Sequence, residues 1–208
     1  MMQTTNQEPT VFVVDDDEAM RRSLKWLIES TGMRVSVFDS ADAFLTAYRP
    51  EWHGCLLLDV RMPGMSGLEL QAYLARAEYR LPVVIITGHG DVAMAVKAMQ
   101  AGALDFIEKP FHDEDLLNSI RRAMETDSQA RAQRSQYAAV LARLEELTPR
   151  EHEVMDMVAA GKSNKEIATA LGVSAKTVEA HRAKVMDKMQ ATSLADLVRM
   201  AMLVGRAG

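Results

Sequence analysis

Asp59 closes the apolar run Cys55-Leu56-Leu57-Leu58 and is followed at once by Val60-Arg61-Met62-Pro63-Gly64. A carboxylate where a buried strand gives way to a tight loop is partly desolvated and open to a ligand. Two further strand-like runs end in charge: Asp15-Asp16-Asp17 after Thr10-Val11-Phe12-Val13-Val14, and Lys109-Pro110 after Leu104-Asp105-Phe106-Ile107. Asp15, Asp16 and Asp59, brought together, repel one another and raise each other's proton affinity. A hard divalent cation, Mg²⁺ or Mn²⁺, relieves that conflict and leaves coordination for a phosphoryl oxygen. Asp59 then has the chemistry of a carboxylate nucleophile that forms an acyl phosphate. Lys109 supplies a point cation and Thr87 a hydroxyl donor for the phosphoryl oxygens, with Gly88 and Gly90 leaving room beside Thr87.

Each piece also has a plainer reading. An acidic run after a strand often caps the next helix, and Asp17 suits that role. Thr87 alone reads as a turn residue, Phe106 as core, Met62-Pro63-Gly64 as a turn, and His53 and His89 as loop residues. Joint placement at the ends of the first, third, fourth and fifth strands favours a site. Ala160-Gly161-Lys162-Ser163 fails as a phosphate-binding loop, since Asp156 stands where its first glycine belongs and no strand precedes it. A dehalogenase-type phosphotransferase needs a second acid two residues after Asp59, and this chain has Arg61. No nucleophile-elbow, HExxH or paired-cysteine pattern appears.

The elements that must position these residues are legible in the hydrophobic pattern. Five short runs, at 10–14, 34–38, 55–58, 83–86 and 104–107, alternate with longer segments of helical period. Continuous apolar runs such as Leu56-Leu57-Leu58 suit central parallel strands buried on both faces. Alternation of strand and helix predicts an α/β doubly wound, five-stranded parallel sheet, whose ligand crevice lies at the carboxyl ends of its strands. From Phe111 to Leu147 there is no Gly or Pro, so a last sheet-packing helix and a polar helical linker are expected.

After residue 147 only helices are expected, at about 150–160, 164–171, 175–190 and 194–204, making a small all-α domain. Thr148-Pro149-Arg150-Glu151 and Ser163-Asn164-Lys165-Glu166 are capping boxes, and Ser174 and Ser193 are further caps. Gly161 and Gly172 fall where helices should stop. The short turn through Gly172-Val173 between the second and third helices has the layout of a helix-turn-helix. Formal charge is −5 overall, split as −7 over residues 1–125, 0 over 126–147 and +2 over 148–208. That balance does not exclude nucleic acid, since the local field of the binding element decides. A hydrophobic fraction of 48% without a membrane-length apolar stretch, and one cysteine, Cys55, in an apolar run, suit a reducing cytoplasm.

Asp15, Asp16, Asp59, Thr87, Phe106 and Lys109-Pro110 together resemble a two-component receiver domain over roughly residues 8–125. The resemblance implies that Asp59 is the phosphoacceptor and Asp16 a direct metal ligand. It also implies that Asp15 binds the metal through water and that the Arg61 backbone carbonyl is another contact. Thr87 and Phe106 would be the switch residues and Lys109 the charge-binding lysine, with Lys109-Pro110 a candidate cis peptide. Residues 147–208 resemble a NarL/LuxR-type helix-turn-helix, with 126–146 as linker. The resemblance rests on Leu147-Thr148-Pro149-Arg150-Glu151, Ser163-Asn164-Lys165-Glu166-Ile167-Ala168 and Thr177-Val178-Glu179-Ala180-His181-Arg182.

The whole chain resembles a FixJ-family regulator, which implies that helix 175–190 enters the major groove. Lys165 and Thr177 then sit on phosphates. Glu179, Ala180, Arg182 and Ala183 face base edges, with Arg182 suited to guanine, Glu179 to cytosine and Ala180 to a thymine methyl. Lys176, His181 and Lys184 complete the expected DNA-binding set. The same resemblance implies a sensor histidine kinase as phosphoryl donor, double-stranded promoter DNA and RNA polymerase as partners, and a homodimer on phosphorylation. Helix 194–204 would supply a dimer contact, and the protein would be a switch in place of an enzyme. The alternative of another class is a tail that serves as a protein-interaction or oligomerisation bundle.

Overall fold

The structure, a computed structural model, describes residues 8–77, 79–88 and 92–205. It divides into two compact units, residues 1–130 and 131–208. The first alternates β1 (Thr10–Val14), α1 (Glu18–Glu29), β2 (Arg34–Phe38), α2 (Ala41–Ala47), β3 (Gly54–Asp59), α3 (Gly67–Arg76), β4 (Val83–Thr87), α4 (Val92–Gln100) and β5 (Asp105–Glu108). A long helix α5 (Asp113–Glu145) follows. The five strands form one parallel sheet in the order β2-β1-β3-β4-β5.

The strand pattern explains the layers. Every residue of β3 and β4 is buried, as the apolar runs require of strands covered on both faces. Alternate residues face opposite sides. Leu56 and Leu58 join Phe12, Phe44, Leu70 and Ile85 in one core, while Cys55 and Leu57 join Leu24, Ile28, Ile86, Leu116 and Ile120 in the other. Burial pushes the Cys55 thiol up to about 12, so it is a small apolar packing group and not a reactive thiol. Asp17 caps α1, accepting from the backbone N–H groups of Ala19 and Met20 at 2.8 and 3.2 Å.

The second unit contains the end of α5 and then α6 (Pro149–Ala159), α7 (Asn164–Leu171), α8 (Ala175–Met189) and α9 (Leu194–Leu203). Thr148 with Glu151, and Ser163 with Glu166, complete the two reciprocal capping boxes. Gly172, at φ 65°, ends α7 in the left-handed conformation and lets α8 begin three residues later. Ile167, Val178, Val185, Met189, Leu197 and Ala201 close around Val154, Met155 and Val158.

The stretch expected to be a solvated linker is one continuous helix that is solvated only in its middle. Residues 128–139 are exposed apart from the half-buried Ala130 and Arg134. Asp127, 3% exposed, instead accepts from the Gly54 backbone N–H at 2.9 Å. Val140 and Leu144 are buried in the core of the second unit. Polar ties reinforce that end: Arg143 donates to the Met189 carbonyl at 3.3 Å, and Lys188 to the Glu146 carbonyl at 3.0 Å. Lys188 also meets the Glu151 carboxylate at 2.7 Å, where the Glu151 side chain is only 4% exposed.

Truncating Leu144 to Ala should destabilise the second unit by about 2–4 kcal/mol through lost burial and a residual cavity. Calorimetry should show the transition of the receiver-like unit unmoved. Glu151 generates a pH prediction. The hydrogen bond from Lys188, followed by that from the Thr148 backbone N–H, holds its carboxyl down at about 2, against an ordinary 4.5. A depressed folded value means that stabilisation is complete above the unfolded value and is lost as pH falls from about 4.5 to about 2. Acid titration of thermal stability should show a loss of about 1–3 kcal/mol in the second unit over that window, largely absent in Glu151→Gln.

Candidate functional site

β1 and β3 are neighbours at the point where strand order reverses, which is where doubly wound sheets open a crevice. Their register pairs Val14 with Leu58, so Asp15 and Asp59, the next residue of each, emerge side by side. Lys109 arrives from the end of β5, its backbone N–H donating to the Thr87 carbonyl at 2.7 Å. Its Nζ lies 2.8 Å from Asp15 Oδ2 and 2.6 Å from Asp59 Oδ1. The outer oxygens are held as well: Asp17 N–H donates to Asp15 Oδ1 at 2.9 Å, and Arg61 N–H to Asp59 Oδ2 at 2.7 Å. The Lys109–Pro110 peptide is cis.

One ammonium cannot neutralise two carboxylates in a site where Asp15 and Asp59 are 1% and 5% exposed. Burial raises the Asp59 carboxyl above its ordinary range, opposed by the hydrogen bond and charge of Lys109 and reinforced by the charge of Asp15. Burial also pushes Lys109 down, but hydrogen bonds and charges from Asp15 and Asp59 overcome it and leave the ammonium favoured. Asp59 and Asp15 therefore hold an excess of negative charge that Lys109 only partly offsets.

Thr87 is fully buried at the end of β4, and a side-chain carbon built on the adjacent Gly88 would meet nothing within 4 Å. Phe106, in β5, is half-buried and packs, like Met94, against the core that contains Leu58 and Ile85. Arg61 is exposed, with its N–H turned to Asp59. Asp16 faces solvent, and among the described residues no three His, Cys, Asp or Glu side chains converge tightly enough to enclose a metal. His89 and Gly90 lie outside the described residues. His53 is at the opposite end of the sheet, its carbonyl accepting from the Thr10 N–H.

Gly67 belongs to this site, though nothing in the motif reading selects it. A Cβ there would fall 2.1 Å from the Asp59 carbonyl oxygen. Its N–H donates to the Val60 carbonyl at 3.0 Å, so α3 begins directly against the backbone of Asp59. The visible signal is its place just after the Ser66 cap, in a capping box with Glu69.

In the second unit Lys165, Lys176, Glu179, Ala180, Ala183 and Lys184 are exposed. Thr177 is half-buried, and its hydroxyl shares a 2.8 Å hydrogen bond with Ser174. His181 and Arg182 turn towards the protein. The Nδ1 atom of His181 is enclosed without a hydrogen-bond partner, and Arg182 Nη1 donates to Asn164 Oδ1 at 2.6 Å.

An acid–lysine–acid cluster at the switch point of this sheet, followed by a helix-turn-helix, defines a two-domain regulator of transcription. Residues 11–121 match the response regulator receiver domain, and residues 145–201 match the bacterial regulatory proteins of the luxR family. Nodulation protein W of Bradyrhizobium diazoefficiens is 47% identical over 94% of this chain and 86% of its own. Transcriptional regulatory protein FixJ of Rhizobium meliloti is 48% identical over 94% of this chain and 96% of its own. The response regulator StyR has a solved structure with a TM-score of 0.85 at 44% identity, covering 94% of this chain and 98% of that one. The chain belongs to the response regulators, as a FixJ-like member that joins a receiver to a luxR-type DNA-binding domain.

The predicted consequence of the Gly67 contact is specific. Gly67→Ala should force the Asp59 backbone and α3 apart, lowering acyl-phosphate formation at least tenfold and thermal stability by about 1–3 kcal/mol. Labelling yield and a melting curve on the same sample check both.

Proposed function

We propose that this protein accepts a phosphoryl group on Asp59 from a sensor histidine kinase and that the modification controls promoter binding by its second domain. The observation that supports this best is the Lys109 Nζ bridge between Asp15 and Asp59. An Asp59 carboxylate oxygen forms the new O–P bond as the P–N bond of the donor phosphohistidine breaks, and the leaving imidazole takes up a proton. Lys109 moves from sharing two carboxylates to meeting the new phosphoryl oxygens, while Thr87 offers its hydroxyl to another.

The donor set suits Mg²⁺ or Mn²⁺. Asp15 and Asp59 supply buried oxygens with a net negative charge, and Asp16 and the Arg61 carbonyl lie next to them in sequence. When bound, the ion would neutralise charge between the carboxylates and the incoming phosphoryl group. The phosphoryl group brings about −1.5 to −2 of charge into the cleft. Thr87 and Phe106 are the residues placed to convert that charge into a changed surface, through which two copies pair.

In the second domain α8 is the groove-entering helix, with Lys165, Lys176, Thr177 and Lys184 for phosphates and the exposed face of α8 for base edges. Recruitment of RNA polymerase at the bound promoter is the activating step, and the protein works in the cytoplasm where that DNA is. It turns over no separate substrate: it is a switch and not an enzyme. Among the described residues, no helix is long and apolar enough to cross a membrane.

Incubation with a small acyl-phosphate donor and Mg²⁺ should give one alkali-labile, hydroxylamine-sensitive phosphoryl group per chain, absent in Asp59→Asn. Full labelling of that variant sinks the assignment.

A further inference from the structure

Arg182 looks in sequence like the guanine reader of α8, but its place on the helix argues otherwise. Val178, Val185 and Met189 are the buried stripe of α8. Arg182 lies four residues after Val178 and three before Val185, on that same inward seam. The solvent face carries Lys176, Glu179, Ala180, Ala183, Lys184 and Asp187, all exposed. Consistent with the inward seam, the half-buried guanidinium donates from Nη1 to Asn164 Oδ1 at 2.6 Å. Asn164 is the first residue of α7.

We infer that Arg182 is a positioning residue that clasps α8 to the start of α7, and that base selection falls to Glu179, Ala180 and Ala183. The clasp rests on the DNA-binding reading above and deepens it. It joins the two helices of the helix-turn-helix at the side away from their Gly172 turn, so it fixes the angle at which α8 is presented. The clasp adds a polar tie, at the end away from the turn, to the packing of Ile167 with Val178 and Val185.

The readers that remain have a definite chemistry. Ala180 and Ala183 present methyl groups, which match the C5-methyl of thymine. Glu179 has no ion pair among the described residues. An unpaired carboxylate in a groove walled by phosphates is tolerated only against a base-edge donor, the exocyclic amine of cytosine or adenine. Glu179 therefore selects by rejection: base pairs without an amine at that position leave its charge facing acceptors.

The full-length protein, phosphorylated with a small acyl phosphate and Mg²⁺, is used to select duplexes from a randomised pool. Arg182→Ala, Asn164→Ala, the double variant and Glu179→Gln are run beside it. The clasp predicts that Arg182→Ala and Asn164→Ala each weaken binding about tenfold for every sequence in parallel, with the base profile unchanged. The double variant should be no weaker than the worse single one. Glu179→Gln should relax preference at one base pair with little loss of overall affinity. Loss of a guanine preference in Arg182→Ala alone, or an unchanged profile in Glu179→Gln, overturns the assignment. Circular dichroism confirms folding, and if Arg182→Ala unfolds, Asn164→Ala carries the comparison by itself. Failure of the unaltered protein to enrich any sequence overturns the DNA-binding reading beneath it, and the clasp's role with it.

Discussion

The structure of the first domain depends on one ammonium group held between two carboxylates. Lys109 stands at the end of β5, two strands away from β3 and three from β1, yet its Nζ reaches both Asp59 and Asp15. That reach requires the strand order to place β1 and β3 together, β4 to pass beneath the lysine, and the loop after β5 to be tied to Thr87. It also requires α3 to start close behind Asp59, which only a residue without a side chain permits at position 67. The arrangement is stable while two negative charges share one positive one, and it is unbalanced for the same reason. A buried charge excess held by a single hydrogen-bonded cation is the condition in which a new anion or cation redistributes every contact in the cleft.

The second domain is held by a different logic. Its helices are short, and their termini are satisfied by side chains one after another: Thr148, Ser163, Ser174 and Ser193 each accept from the N–H three residues on. Arg150 donates to the Leu171 carbonyl at 2.6 Å at the end of α7, and Arg143 to the Met189 carbonyl at the end of α8. Cationic side chains on helix carboxyl ends satisfy orphan carbonyls and complement the helix dipole. Several basic residues that composition alone would assign to DNA are thus occupied with the protein's own backbone. Lys162, Lys165, Lys176 and Lys184 remain exposed on this domain.

Much of this was legible in the residues. Periodicity gave the five strands and four terminal helices to within a residue or two, since buried parallel strands and capped helices are the features least dependent on distant contacts. The acid–hydroxyl–lysine set was legible because its members stand at strand ends, where chain order alone implies proximity. Gly67 was not, because the clash that forbids a side chain depends on the three-dimensional path of Asp59. The Arg182 hydrogen bond to Asn164 was not legible either, because its acceptor stands on another helix, 18 residues away. The segment 126–146 looked solvated because its polar middle dominates the count. Asp127 and Leu144 take their burial from partners far away in sequence.

The burial of Val140 and Leu144 with Leu147 bears on how such regulators exchange parts. A recombination that joined one regulator's front half to another's DNA module at residue 147 would leave the first parent's Val140 and Leu144 lining the second parent's core. Such hybrids inherit a mismatched hydrophobic surface even when both modules are intact. The seam at which domains are shuffled without repacking lies instead at residues 135–139 of α5, all of them exposed.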